Sequence, residues 1–138
     1  MVTKKNKNLA EQEAAFKSLY PDFKVHNNLS SLRVEGWVKP TARSITYWFI
    51  LKYIVNRRPT IIITEPILEL NEKQKTLPHI FKGDSLCLYY SNKEFNGSKL
   101  LANTVIPWIT LWVYYYEIWC VDGEWLGGGI HPTNELMM

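Results

Sequence analysis

With 138 residues, 46% of them apolar and 14% aromatic, the chain is large enough for one folded domain and too apolar for a disordered one. The formal charge is only +3, and Lys4, Lys5 and Lys7 supply much of it at the amino end, which speaks against an extended nucleic-acid surface. Two cysteines, Cys87 and Cys120, make no disulfide framework, and no secretory signal opens the chain, so a cytoplasmic setting is the expectation.

In chain order, residues 1–7 read as a disordered, lysine-bearing lead-in to a single domain spanning 1–138. The run 8–19 carries Leu9, Phe16 and Leu19 among good helix formers, with Asn8 as the cap and Tyr20-Pro21 as the stop. From 24 to 38 the residues alternate loosely, with Leu32, Val34 and Trp37 as inward candidates. The run 44–55 is dense in β-branched and aromatic types, residues 56–59 make a solvated turn through Arg57 and Arg58, and "TIIITEPIL" follows as the third strand.

A helix followed by strands on short links predicts an antiparallel meander of three or four strands. After an irregular segment comes the short strand "LCLYY", a loop over 91–98, and a long helix beginning near Thr104 and ending at Asp122-Gly123. Leu101, Val105, Trp108, Ile109, Trp112, Tyr116 and Trp119 recur at spacings of 3 and 4, so this helix should bury one face on the sheet in an α+β layer. The run 105–121 is also apolar enough to raise a membrane span, but it is short for one and holds Pro107 and Glu117, and the expected chain has no membrane partner.

Candidate chemistry centres on "LPHIFKGDSLCLYY", 77–90, where Cys87 follows a Gly-Asp turn and lies eight residues beyond His79. Cys87 is either an accessible nucleophile beside a histidine or core filler between Leu86 and Leu88; the residues alone leave both readings open. Tyr89 and Tyr90 either line a peptide groove or join the core, and Cys120 reads as structural. His26, His79 and His131 are too dispersed for a metal site, and no glycine-rich phosphate loop follows a strand, so no cofactor is expected.

The order of helix, meander, irregular segment, cysteine and helix resembles the catalytic core of ubiquitin-conjugating enzymes. In that family a His-Pro-Asn tripeptide precedes a Gly-x-Ile-Cys-Leu segment; here Leu77-Pro78-His79 stands in the tripeptide's place, and Ser85-Leu86-Cys87-Leu88 follows Gly83. Trp108 resembles the tryptophan that follows the family's cysteine. Over about 29–131, "LPHIFKGDSLCLYY", "TVIPWITLWVYYYEIW" and "DGEWLGGGIH" together are similar to the bacterial ubiquitin-conjugating-like proteins of CBASS anti-phage operons.

The resemblance implies a ubiquitin-conjugating-enzyme-like fold and a transferase in which Cys87 carries a protein carboxy terminus as a thioester. The implied partner is a cGAS-like nucleotidyltransferase, met at its carboxy-terminal tail, with any ATP-dependent activating enzyme encoded elsewhere. The alternative is a non-catalytic binding module of the same fold that scaffolds the nucleotidyltransferase. His79 replaces the family's asparagine, which orders the active-site loop or donates to an oxyanion; a histidine can donate likewise and also take a proton, or simply cap the turn. His131, after "GGGI", is the third site candidate if the glycine-rich tail folds back across the cysteine. An accessible Cys87, more reactive than Cys120, is the expectation that follows.

Overall fold

The computed structural model describes residues 6–69, 77–81, 83–89 and 95–127. Helix α1 spans Leu9–Leu19, and the strands are β1 (Lys24–Asn27), β2 (Leu32–Val38), β3 (Tyr47–Tyr53) and β4 (Thr60–Glu65), followed by helix α2 (Val105–Asp122). The strands form one antiparallel sheet in the order β1-β2-β3-β4, the meander that short links dictate.

Asn8 caps α1 as its sequence position suggests. Its side chain accepts from Glu11 N–H at 2.8 Å while Glu11 reaches back to Asn8 N–H at 3.2 Å, a reciprocal box that satisfies two amide donors at the helix start. Leu9 and Phe16 are buried, whereas Leu19 faces solvent; the third inward residue is Gln12, one turn after Leu9. Gln12 is fully buried and satisfied, donating to Lys99 O and accepting from Leu101 N–H, both at 2.9 Å. It straps the approach to α2 onto α1. Of the expected lead-in over 1–7, residues 1–5 lie outside the described residues, while Lys7 N–H donates to Gly97 O at 2.6 Å.

The stretch 24–38 holds two strands rather than one run. Asn28 Oδ1 accepts from the Ser30 and Ser31 amides at 3.0 and 2.7 Å, which turns the chain between β1 and β2. Strict alternation then puts Leu32, Val34, Gly36 and Val38 inside, so Trp37 points outward, against the expectation, where it meets Trp48 across the strand pair. Gly36 is required by the core: a Cβ there would lie 2.7 Å from Phe23 and 2.8 Å from Phe49, whose rings meet edge to face. β4 stops at Glu65, short of the expected 68, because Pro66 has no N–H for the ladder.

α2 starts one residue after Thr104 and places Pro107 in its first turn, where an amide donor would have no helical partner. Val105, Ile106, Ile109, Trp112, Val113, Tyr116 and Trp119 are buried in the core shared with α1 and β2–β4. Gly123, at φ 77°, ends the helix in the left-handed conformation with its N–H on Trp119 O at 2.8 Å. Among the described residues no helix is long and apolar enough to cross a membrane; the apolar run 105–121 is explained by its buried face. Its one acid, Glu117, accepts from Ser44 Oγ at 2.8 Å and Tyr47 Oη at 2.9 Å, fastening the β2–β3 loop to the helix. Burial, followed by the Glu117 carboxylate, pushes the Tyr47 phenol well above its ordinary range.

Candidate active site

The cysteine segment is docked on the edge of the sheet. β4 is an edge strand, and the two chain groups of Ile61 are taken up from 85–86: Leu86 N–H donates to Ile61 O at 2.9 Å, and Ile61 N–H donates to Ser85 Oγ at 3.1 Å. The Gly-Asp turn is real. Asp84 N–H donates to Phe81 O at 3.0 Å, and Gly83 at φ 88° and Asp84 at φ 67° both occupy the left-handed region that these residue types tolerate. The expected strand "LCLYY" is reduced to one bridge, Ile80 with Leu86; Tyr90 lies outside the described residues.

His79 and Cys87 are brought together by their main chains. Cys87 N–H donates to His79 O at 2.9 Å, and the same carbonyl accepts from Trp112 Nε1 of α2, also at 2.9 Å. His79 sits at φ 50°, a conformation uncommon for its type, and these two donors hold its carbonyl there. Its ring is 7% exposed and stacks on Trp125, with centroids 5.0 Å apart, and Trp125 packs in turn on Trp112 at 5.3 Å. The chain after α2 thus returns to the histidine. His131 lies outside the described residues.

Cys87 is 6% exposed, and Cys120, on the outer side of α2, is exposed. The expected order of accessibility is therefore reversed. Cys87 Sγ faces Tyr89 O at 3.8 Å. Tyr89 is itself a core residue, packed on Phe95 and Trp108 at 5.8 and 5.7 Å, and its edge also borders a pocket with Arg58 and Asn96.

Arg58 is the residue that sequence reading missed. It is exposed, as expected of a solvated turn, and its guanidinium also lies over the rings of Tyr89 (4.2 Å) and Phe81 (5.0 Å) and donates to Tyr89 O at 2.7 Å. Trp112 and Trp125 were equally hidden. Nothing in their spacing distinguishes them from core aromatics, since their partners are a backbone carbonyl and an imidazole far away in sequence. Among the described residues no group of His, Cys, Asp and Glu could hold a metal ion.

An α+β layer with an amino-terminal helix, a four-stranded antiparallel meander and a helix following the cysteine segment is the arrangement of ubiquitin-conjugating-like proteins. The family model of the type II CBASS E2 protein matches residues 12–132, and the chain belongs to that family. This ties it to CBASS and to an E2-like, transferase-type role. None of the curated proteins matches it.

Proposed function

We propose that the protein is a cysteine-dependent conjugating protein whose Cys87 carries the carboxy terminus of a cGAS-like nucleotidyltransferase in bacterial anti-phage defence. The observation that carries this reading is the pairing of His79 and Cys87 within the family's matched span, joined by the Cys87 N–H to His79 O bond at 2.9 Å. The Cys87 thiolate attacks a tail carboxyl that a separate activating enzyme has already activated. The C–S bond forms as the activating group leaves. An acceptor amine then attacks the same carbon, a C–N bond forms, and the thiolate departs. His79 serves the tetrahedral intermediate of that second step by donating to its oxyanion. His131 joins the site from the carboxy-terminal segment; the packing of Trp125 on His79 supports this, since it returns the chain to the histidine six residues before His131.

The test is a thioester that survives non-reducing gels, vanishes with added thiol, and is missing in Cys87→Ala. His79→Ala should slow transfer more than loading. A second reading is favoured by the 6% exposure of Cys87: a binding module that grips the nucleotidyltransferase without turnover. If the wild-type protein, its activating enzyme and the nucleotidyltransferase form a stable complex but no thiol-sensitive adduct, and Cys87→Ala binds equally well, the binding module is correct.

A further inference from the structure

The Cys87 thiol meets two influences that work against its ionisation. It is nearly enclosed, which disfavours the charged form, and its sulfur lies 3.8 Å from the negative end of the Tyr89 carbonyl. A nucleophilic cysteine needs a compensating positive charge. Arg58 supplies one at the same oxygen: Nη1 donates to Tyr89 O at 2.7 Å, so cation and sulfur flank a single acceptor. The guanidinium is held there by the Tyr89 and Phe81 rings, whose faces favour a cation and whose residues bracket the cysteine segment in sequence.

We infer that Arg58, from the β3–β4 turn, is a positioning and activating residue for Cys87: clamped between Phe81 and Tyr89, it holds the Tyr89 carbonyl and offsets that carbonyl's field on the thiolate. The inference rests on Cys87 being the reacting group. Among the described residues, the titratable and charged groups of the cysteine segment and its neighbours are Arg58 from the β3–β4 turn, His79 from the segment that binds the Cys87 amide, Asp84 of the Gly-Asp turn, and the Tyr89 phenol two residues on; α2 presents Trp112.

The experiment uses the full chain with Cys120→Ser, so that one thiol titrates, and compares Arg58 with Arg58→Lys and Arg58→Gln. Lysine keeps the charge; glutamine keeps a donor for Tyr89 O without it. Ultraviolet thiolate absorbance is followed against pH, with a thermal melt of each variant. Arg58→Gln should raise the Cys87 midpoint by about one pH unit, the low end of a charge effect because Arg58 is exposed, and slow alkylation at neutral pH about tenfold. Arg58→Lys should keep most of the wild-type midpoint. An unmoved midpoint in Arg58→Gln, or equal shifts in both variants, overturns the inference and leaves Arg58 as packing. The titration needs no thioester: if the midpoint moves as expected while the unsubstituted protein forms no adduct, the carrier reading fails and the activation by Arg58 stands.

Discussion

The sheet and the cysteine segment are built by opposite means. In the meander each strand pairs with its neighbour in sequence through ladders, seven unbroken residue pairs between β2 and β3 and a ladder with one register shift between β3 and β4, and alternation decides which side chains enter the core. The segment 77–89 has a single bridge of its own, Ile80 with Leu86. Beyond that bridge and the Gly-Asp turn, it is held by bonds to distant elements: Ile61 of β4, Trp112 of α2 and Arg58 of the β3–β4 turn. A ladder resists substitution cooperatively, whereas a segment hung on a few separate bonds can shift when one is removed while the rest of the domain stays folded. That contrast places the candidate chemistry on the part of the molecule most sensitive to individual contacts.

The comparison breaks most visibly in the sheet. Phe49→Ala, at a fully packed position facing Phe23, should cost about 3–5 kcal/mol in denaturant unfolding. A much smaller loss would mean that the sheet's inner face is loosely packed. Next, Gly36→Ala forces a Cβ to within 2.8 Å of Phe23 and Phe49 and should cost about 1–3 kcal/mol by the same measurement. Neither change touches the cysteine segment directly, so at temperatures where the variants remain folded the alkylation rate of Cys87 should be near that of the wild type.

The segment should behave in reverse. Trp112→Phe removes the indole N–H from His79 O but leaves the Cys87 N–H bond to that carbonyl, so stability should fall by only about 1 kcal/mol. The expected signature is a change in the Cys87 alkylation rate out of proportion to that loss. Equal and small effects on both would show that the segment is as rigid as the sheet.

The smallest effect is confined to alkaline solution. Burial pushes the Tyr116 phenol, which accepts from Glu69 N–H at 2.7 Å, up to about 12 from its ordinary 10. Because the folded pKa is the higher one, the folded state holds the proton more tightly; the contribution is complete below pH 10 and is lost as the pH rises towards 12. Unfolding midpoints should therefore decline across that window, and Tyr116→Phe should flatten the decline, with the part due to Tyr47 remaining. A midpoint independent of pH there would show that Tyr116 is solvated.

Much of the architecture was legible because it depends on local rules. The Asn8 cap, the Gly123 stop, the meander order and the buried stripe of α2 follow from capping chemistry, short links and the 3.6-residue period. Leu19, Trp37 and the reach of β4 misled for equally local reasons: an exposed position in the last turn of α1, strict alternation from Leu32, and Pro66. Within the candidate site, Cys87, His79 and the Gly83-Asp84 turn could be picked out by type and spacing, as could the family.

The sequence by itself determined the α+β class, the order of the strands, the helix limits and the identity of the segment that carries the cysteine, since periodicity, caps and turn residues act over a few neighbouring positions. Only the tertiary structure decided that the Cys87 thiol is enclosed, that His79 meets it through a carbonyl also held by Trp112, and that Arg58 leaves its turn to lie on Tyr89. Burial and long-range hydrogen bonds depend on what folding brings alongside, and residues 29 and 31 positions apart in sequence carry no periodic signal that would pair them; here Cys87 with Arg58 and Arg58 with Tyr89 are joined only because β4 and the cysteine segment share an edge.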